Sequence, residues 1–295
     1  TPNILQVSKK DGALIRGAFL PLPDDVAGEP QLLVSIDFVQ QELVILAGES
    51  GDTNLRACYT GKEKLDVHSS TAAALLDLSY EEFLQRYKDK DPKATLYRKK
   101  HAKIVNFLTS YGGSATGLAR KAVVPKSQAE EFLRAFFDRY PKVKEYQNRM
   151  ETLALRHGFV KDCFGNRRHC DAAFSDNNRQ QSAMARQAGN FPIQGGAASV
   201  LKVAMSKVRK SKLLEQTGAT LYAPIYDEVV ASVPVSKVEE YIRGMESCME
   251  MELPGLNISL CTSVSLGRDW KEASLNELGE HPSSEVIAQA IENLV

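Results

Sequence analysis

The chain has 295 residues, 43% hydrophobic and 25% charged, with 37 basic side chains balancing 37 acidic ones. That composition suits a packed globular protein, either two average domains or one large domain with an insertion, and it excludes disorder. Bulk charge names no partner and no apolar run approaches the ~18–20 residues of a membrane span, so nucleic-acid binding would have to rest on local clusters.

The five cysteines, Cys58, Cys163, Cys170, Cys248 and Cys261, include no Cys-x-x-Cys pair. An odd count without metal spacing suggests reduced thiols in a cytosol-like compartment. Thr1 is not an initiator Met and no signal peptide follows, so the chain reads as a piece of something longer or as a processed product.

Residues 1–31 carry Pro2, Pro21, Pro23, Gly28 and Pro30 and read as irregular, with one short strand near Leu14–Leu20. The run from Leu32 to Phe38 is short and apolar, a buried strand that carries a carboxylate near its end. Gln41–Glu49 reads as helix, stopped near Gly51, and the Ala-rich stretch His68–Leu76 as another. Lys93–Leu108 is helical and ends at Tyr111-Gly112-Gly113. Ser127 and Glu130 form a capping box ahead of Phe132 and Phe136. Phe159–Arg168, with Gly165-Asn166 towards its end, reads as a hairpin. Asn177–Ala188 and Gly195–Lys212 are helical, with Pro192 breaking the stretch between them. Thr220–Ile225 and Val229–Val233 are strands joined at Tyr226-Asp227-Glu228, and Leu256–Gly267 is a final strand region. Helices and strands mix without a βαβ rhythm, which favours an α+β fold.

Three groups of residues carry chemistry. Asp37 sits at a strand end, and Asp227 and Glu228 at a tight turn between apolar strands. Carboxylates so placed suit Mg²⁺, a hard ion that takes oxygen ligands and keeps several waters. Two such ions can clamp both oxygens of a phosphoryl transfer. Taken alone, though, Asp-Glu at a turn is ordinary turn chemistry. Lys99, Lys103, Phe107 and Tyr111 recur every four residues and share one slowly drifting helix face. Phosphates along the cations and a base on the aromatic end would use such a face; a solvated basic turn before a buried Phe-Tyr pair is the plainer alternative. Asn106, polar among apolar neighbours, reads as a helix brace. Arg186, Asn190 and Gln194, also four apart, suit contact with a template base, sugar or phosphate, or are a surface polar stripe.

Together these segments resemble the polymerase module of family A DNA polymerases, the DNA polymerase I family. The stretch from Asp37 through Glu42 is similar to motif A, DYSQIEL. Lys99 through Gly112 is similar to motif B, RRxAKxxNFGxxYG. Tyr226-Asp227-Glu228 is similar to motif C, HDE. Between and beyond them, Asp66-Val67-His68 with Thr71 resembles D-I-H-x-x-T-A, Phe164 to Arg168 resembles FGRRR, Asn190 to Gly195 resembles NxPxQG, and Gly267 to Trp270 resembles G-x-x-W. The order and spacing hold over residues ~2–272, which makes the joint match far more specific than any single segment.

The resemblance implies a palm, an antiparallel sheet with flanking helices, and an inserted, mainly helical fingers subdomain. The palm would take 1–76 and 190–272, the fingers 77–189, and a helical tail 273–295. It implies template-directed addition of deoxynucleotides to a primer 3′ end by two-metal phosphoryl transfer. Asp37 and Asp227, with the main chain of Phe38, would hold two Mg²⁺, and Glu228 would lie beside them at the catalytic centre. Lys99, Lys103 and His68 would neutralise the incoming triphosphate. Phe107 would stack by its sugar and base, Tyr111 would sit near the templating position, and Glu42 would exclude a 2′-hydroxyl. Arg167, Arg168, Arg186, Asn190, Gln194 and Tyr226 would contact primer and template.

Departures from the motifs are Tyr226 for His, Val44 for Arg, Gln41 for Ile, Leu108 for Gly and Lys99 for Arg. None removes a metal ligand, and the drift points to a divergent branch, phage-encoded ones included. Partners implied are primer-template DNA, deoxynucleoside triphosphates and a thumb and exonuclease region, upstream in the same protein or on a separate chain. The setting implied is the cytoplasm of a bacterial or phage-infected cell, or an organelle, and no membrane. A catalytically inactive nucleic-acid-binding relative is the alternative function; intact Asp37, Asp227 and Lys103 argue against it.

Overall fold

The computed structural model describes residues 13–61 and 63–295. In chain order the helices are α1 (Ala13–Gly17), α2 (Asp24–Ala27), α3 (Gln41–Ser50), α4 (Thr53–Arg56), α5 (Val67–Leu75), α6 (Tyr80–Lys88) and α7 (Pro92–Leu96). A π-helical turn, Tyr97–Ala102, leads into α8 (Lys103–Ser110), followed by α9 (Ala115–Ala122), α10 (Lys126–Arg139) and α11 (Pro141–His157). Then come α12 (Asn178–Ser211), α13 (Leu213–Thr217), α14 (Val238–Met249), α15 (Trp270–Ala273) and α16 (Ser284–Glu292). The strands are β1 (Gln31–Phe38), β2 (Phe159–Lys161), β3 (Arg167–His169), β4 (Thr220–Ile225), β5 (Glu228–Pro234), β6 (Thr262–Gly267) and β7 (Glu277–Gly279).

Two compact units result. One comprises the chain up to Gln41, Ala197–Glu252 and Ser259–Val295; the other comprises Glu42–Gly196 and Leu253–Ile258. The first unit is built on an antiparallel sheet in the order β4-β5-β1-β6-β7. β1 is central, so both its faces are covered, which is why Gln31 to Ile36 are buried without alternation and Ser35 is the single polar residue within the apolar stretch Leu32–Ile36. One face buries Leu33, Val230 and Ile225 against Trp270 and Ala273. From the other, α14 packs on β1, β5 and β6 and buries Tyr241, Ile242, Met245 and Met249. The second unit is helical apart from the β2–β3 hairpin. The α+β class with helices flanking an antiparallel sheet is as the sequence implies.

Several local expectations are corrected. The short strand near Leu14–Leu20 is the helix α1, and residues 1–12 of that stretch lie outside the described residues. Its Arg16 is drawn onto the Trp270 ring, 3.9 Å from the centroid, and Leu14 is left exposed. Ser127 does not cap α10. The helix begins at Lys126 after Pro125, which supplies no side-chain acceptor. Pro192 does not divide α12, which is continuous over 34 residues. In the turn before the proline, the buried Tyr146 hydroxyl donates to the Gly189 carbonyl at 2.8 Å, three residues ahead of Pro192. The final strand is shorter than Leu256–Gly267, because Leu253–Ile258 closes on itself through Leu253 N–H to the Ile258 carbonyl. In α16 the Ser283 hydroxyl accepts from the Val286 amide, as its Ser-Ser-Glu pattern predicts.

Candidate active site

At one end of the sheet, β1 and β5 bring the carboxylates together. Asp37 lies directly opposite Glu228 in the ladder, so the two side chains leave the same face of the sheet. The Phe38 amide donates to the Asp227 carbonyl at 3.1 Å, which sets Asp227 at the turn beside Asp37. Tyr226 turns this corner with φ of 58° and is 63% exposed. A non-glycine residue rarely takes the left-handed region, and here that geometry throws the phenol outward beside the carboxylates. Among the described residues no three His, Cys, Asp or Glu side chains form a group that would hold a metal by themselves.

Glu228 is committed elsewhere. Its carboxylate is buried, accepts from the Ser35 hydroxyl at 2.6 Å and the Trp270 indole at 2.8 Å, and faces the Arg16 guanidinium at 3.8 Å. Arg16 also donates to the Ser274 hydroxyl at 2.6 Å. Burial pulls the Arg16 pKa down, while Glu228 and Asp37 oppose that shift. The sequence reading found Glu228 and Trp270 as motif residues but not the bond between them. An isolated Arg in an irregular N-terminal stretch gave no signal of its role.

In the helical unit, Lys99, Lys103, Phe107 and Tyr111 follow one another along the π turn and α8, with both lysines exposed. Gly112, with φ of 66°, ends the run. α5 braces this helix. The Asn106 side chain is buried, accepts from the Thr71 hydroxyl at 2.7 Å and bonds His68 Nδ1 at 2.9 Å. Asn106 donates its amide N–H there, so the His68 proton sits on Nε2. Burial holds the His68 pKa down to about 4, with Lys103 and Arg98 adding to the effect against Asp66. His68 is therefore a neutral hydrogen-bonding ring near pH 7, and it lies 6.2 Å from the Phe107 ring, centroid to centroid. The Tyr111 hydroxyl donates to the Glu42 carboxylate.

The residues read as primer-template contacts fall into separate places. Arg186, Asn190 and Gln194 share α12, where Asn190 Nδ2 donates to Gln194 Oε1 at 2.8 Å. The Arg186 side chain lies beside Gly112, where an added Cβ would make an ordinary contact with Arg186 Cγ at 3.5 Å. Arg167 and Arg168 are exposed on β3: Arg167 lies over the Phe159 ring at 4.7 Å, and Arg168 donates to Gln187 Oε1 at 2.7 Å. The hairpin they occupy is pinned by Asp162, whose carboxylate accepts from the amides of Phe164 and Asn166.

Comparison with known proteins agrees with this architecture. The family described as DNA polymerase family A matches residues 1–272. The thermostable DNA polymerase I of Thermus filiformis is 34% identical over 92% of this chain and 30% of its own length. The DNA polymerase I of Lactococcus lactis subsp. cremoris is 31% identical over 92% of this chain and 29% of its own. The POL domain of Pol1 from M. smegmatis, solved in complex with DNA primer-template and dNTP, superposes with a TM-score of 0.79 at 27% identity. That match covers 92% of this chain and 45% of the other. The chain thus spans about 30% of the length of these curated relatives. No helix among the described residues is long and apolar enough to cross a membrane. With a family match over all but the last 23 residues, the chain belongs to DNA polymerase family A.

Proposed function

We propose that this chain carries the nucleotide-adding centre of a template-directed DNA polymerase. The observation that carries the reading is the placement of Asp37 and Asp227 at neighbouring points at one end of the sheet, backed by family membership. Their donor set is all oxygen. Mg²⁺ binds through one or two carboxylates, waters and substrate phosphates rather than an all-protein cage, so a pair without a third acidic ligand fits it. Asp37, Asp227 and the Phe38 main chain would hold two Mg²⁺, and the ions supply Lewis-acid stabilisation of the charge on the transferring phosphate when bound.

The reaction is attack of the primer 3′-hydroxyl on the α-phosphate, with pyrophosphate leaving, and the protein contributes positioning and electrostatics. Lys99 and Lys103 take the triphosphate charge. His68, neutral, contributes a ring and an Nε2–H donor rather than a second fixed charge. Phe107 stacks by the sugar and base. Glu42, tethered by Tyr111, occupies the space a 2′-hydroxyl would need. Arg167, Arg168, Arg186, Asn190, Gln194 and Tyr226 line the path of primer and template. Glu228 acts from β5, holding the Asp37–Asp227 corner by its bonds to Ser35 and Trp270. The palm and fingers would divide at residues 76, 189 and 272. The relatives' greater length leaves room for a thumb that grips the duplex by phosphate contacts, in the same polypeptide or on another chain.

The test is extension of a labelled primer on a DNA template with Mg²⁺ and all four deoxynucleotides. Template-directed extension is expected. Binding of primer-template without any extension, with or without added upstream region, would return the chain to the inactive-relative reading.

A further inference from the structure

The helix that carries Lys99 and Lys103 is not a plain α-helix. Tyr97–Ala102 is a π turn, set between α7 and α8. Runs of i→i+5 bonding are rare and often mark functional sites. The turn also holds a buried defect: His101 is 6% exposed and its Nδ1 has no hydrogen-bond partner, enclosed by the Tyr97 and Phe132 rings at 5.0 and 5.5 Å. A buried polar atom left unpaired costs about 1–3 kcal/mol, so something must keep the turn in place.

The turn has a geometric consequence for the cations. On an α-helix, residues four apart overshoot a full turn by about 40°, so Lys99, Lys103 and Phe107 would drift about 80° around the axis. A π turn advances each residue by only ~82°, so the step from Lys99 to Lys103 falls roughly 30° short of a full turn. The next step, Lys103 to Phe107 in α8, overshoots by about 40°, and the two nearly cancel. The π turn lines up the three side chains that the period of four alone would let drift apart.

Arg98 is the residue that fastens this turn. Its Nη2 bonds Asp66 Oδ2 at 3.0 Å, and its Nε bonds Asp66 Oδ1 at 3.2 Å and the Ser69 hydroxyl at 3.1 Å. Its guanidinium also lies over the Tyr87 ring at 5.0 Å. Burial pushes the Asp66 carboxyl up, but the Ser69 and Arg98 bonds outweigh it and hold it below its ordinary value. Eight residues on, Asn106 makes the second clamp to α5 through His68 and Thr71. The cation helix is thus fixed to α5 on both sides of Lys99 and Lys103, with the π turn under the first clamp.

We propose that Arg98 is a positioning residue: by its clamp to Asp66 and Ser69 it holds Tyr97–Ala102 in the π form and so keeps Lys99 in line with Lys103 for the triphosphate of the incoming nucleotide. Releasing the clamp lets the turn relax to α, which swings Lys99 by about 70° relative to Lys103 and lets the His101 ring move. The inference rests on the nucleotide-binding reading of the two lysines.

The test uses two conservative variants of the full chain. Arg98→Gln removes the clamp from one side. Asp66→Asn weakens it from the other: it takes away the carboxylate charge and the Oδ2 acceptor of Arg98 Nη2, keeps the Arg98 charge, and keeps Oδ1 as an acceptor at the head of α5 for the Ser69 amide. Both should raise KM for the deoxynucleotide about tenfold with kcat within about twofold, and both should speed amide hydrogen exchange over residues 97–103. A raised KM in Arg98→Gln with a parental KM in Asp66→Asn would make Arg98 a direct phosphate contact and overturn the proposal. Parental KM in both variants, or a raised KM with parental exchange over 97–103, would also overturn it. If the parent chain itself adds no nucleotide, the polymerase reading fails instead, and exchange at 97–103 still decides whether the clamp holds the turn.

Discussion

Replacing Glu228 with alanine should unfold the sheet unit far more readily, for reasons unconnected with metal binding. The carboxylate is buried and accepts two hydrogen bonds, from Ser35 at 2.6 Å and Trp270 at 2.8 Å, and it faces Arg16, itself 6% exposed, at 3.8 Å. Removing one partner of a buried ion pair costs about 3–5 kcal/mol, and each stranded donor to a charged group about 1.5–3 kcal/mol. These terms overlap, since the groups form one network, so the expected loss is about 3–5 kcal/mol rather than their sum. Glu228→Gln keeps an acceptor for the indole or the hydroxyl but still strands the Arg16 charge, so it should be less destabilising than Glu228→Ala by only about 1–2 kcal/mol. The chain contains a single tryptophan, Trp270, so urea unfolding followed by its emission reads this network directly. A loss under about 1 kcal/mol in Glu228→Ala would refute the reasoning. So would an unchanged native emission spectrum.

Other perturbations follow from the same geometry. Glu42→Ala frees the Tyr111 hydroxyl and, on the proposed role of Glu42, would make room for a 2′-hydroxyl; discrimination against ribonucleotides should fall about tenfold or more, read as the ratio of kcat/KM for matched ribo- and deoxynucleotides. His68, held near pKa 4 when folded against about 6.5 unfolded, costs nothing at pH 7 but favours the unfolded chain as pH falls from about 6.5 to 4. His68→Gln should therefore remove up to about 3 kcal/mol of the stability lost over that window, measured by urea midpoints at pH 7 and 4.5. Gly267→Ala would place a Cβ 2.2 Å from the Ala273 amide nitrogen and 2.7 Å from the Glu272 carbonyl carbon, both main chain. It should cost about 3 kcal/mol in the same unfolding experiment.

Much of this was legible in the residues. The apolar run ending at Asp37 and the apolar runs on either side of Asp227 declared β1, β4 and β5; β1 and β5 are buried almost throughout, while β4 lies at the sheet's edge and is largely part-exposed. Asn106 stood out as polar among apolar neighbours, and it proves to be the buried brace between α5 and α8. Other features depend on contacts distant in sequence. The Arg16 side chain is buried against Trp270, Ser274 and Glu228, all more than 200 residues away. Pro192 sits inside α12, where the Tyr146 hydroxyl, distant in sequence, bonds the Gly189 carbonyl in the preceding turn, a contact that a local proline rule does not weigh. The π turn has no local signature in Tyr97–Ala102; it shows only once Arg98 is seen clamped to Asp66.

On the proposed function, Asp37 and Asp227 are the metal-holding pair of a nucleotide-adding centre. The most direct measurement is single-turnover addition of one deoxynucleotide to a primer-template in Mg²⁺ by the parent, Asp37→Asn and Asp227→Asn, with primer-template affinity and thermal unfolding measured alongside. Both variants should retain fold and DNA affinity while addition falls by about 10³-fold or more. Addition within about tenfold of the parent rate by either variant would contradict the assignment.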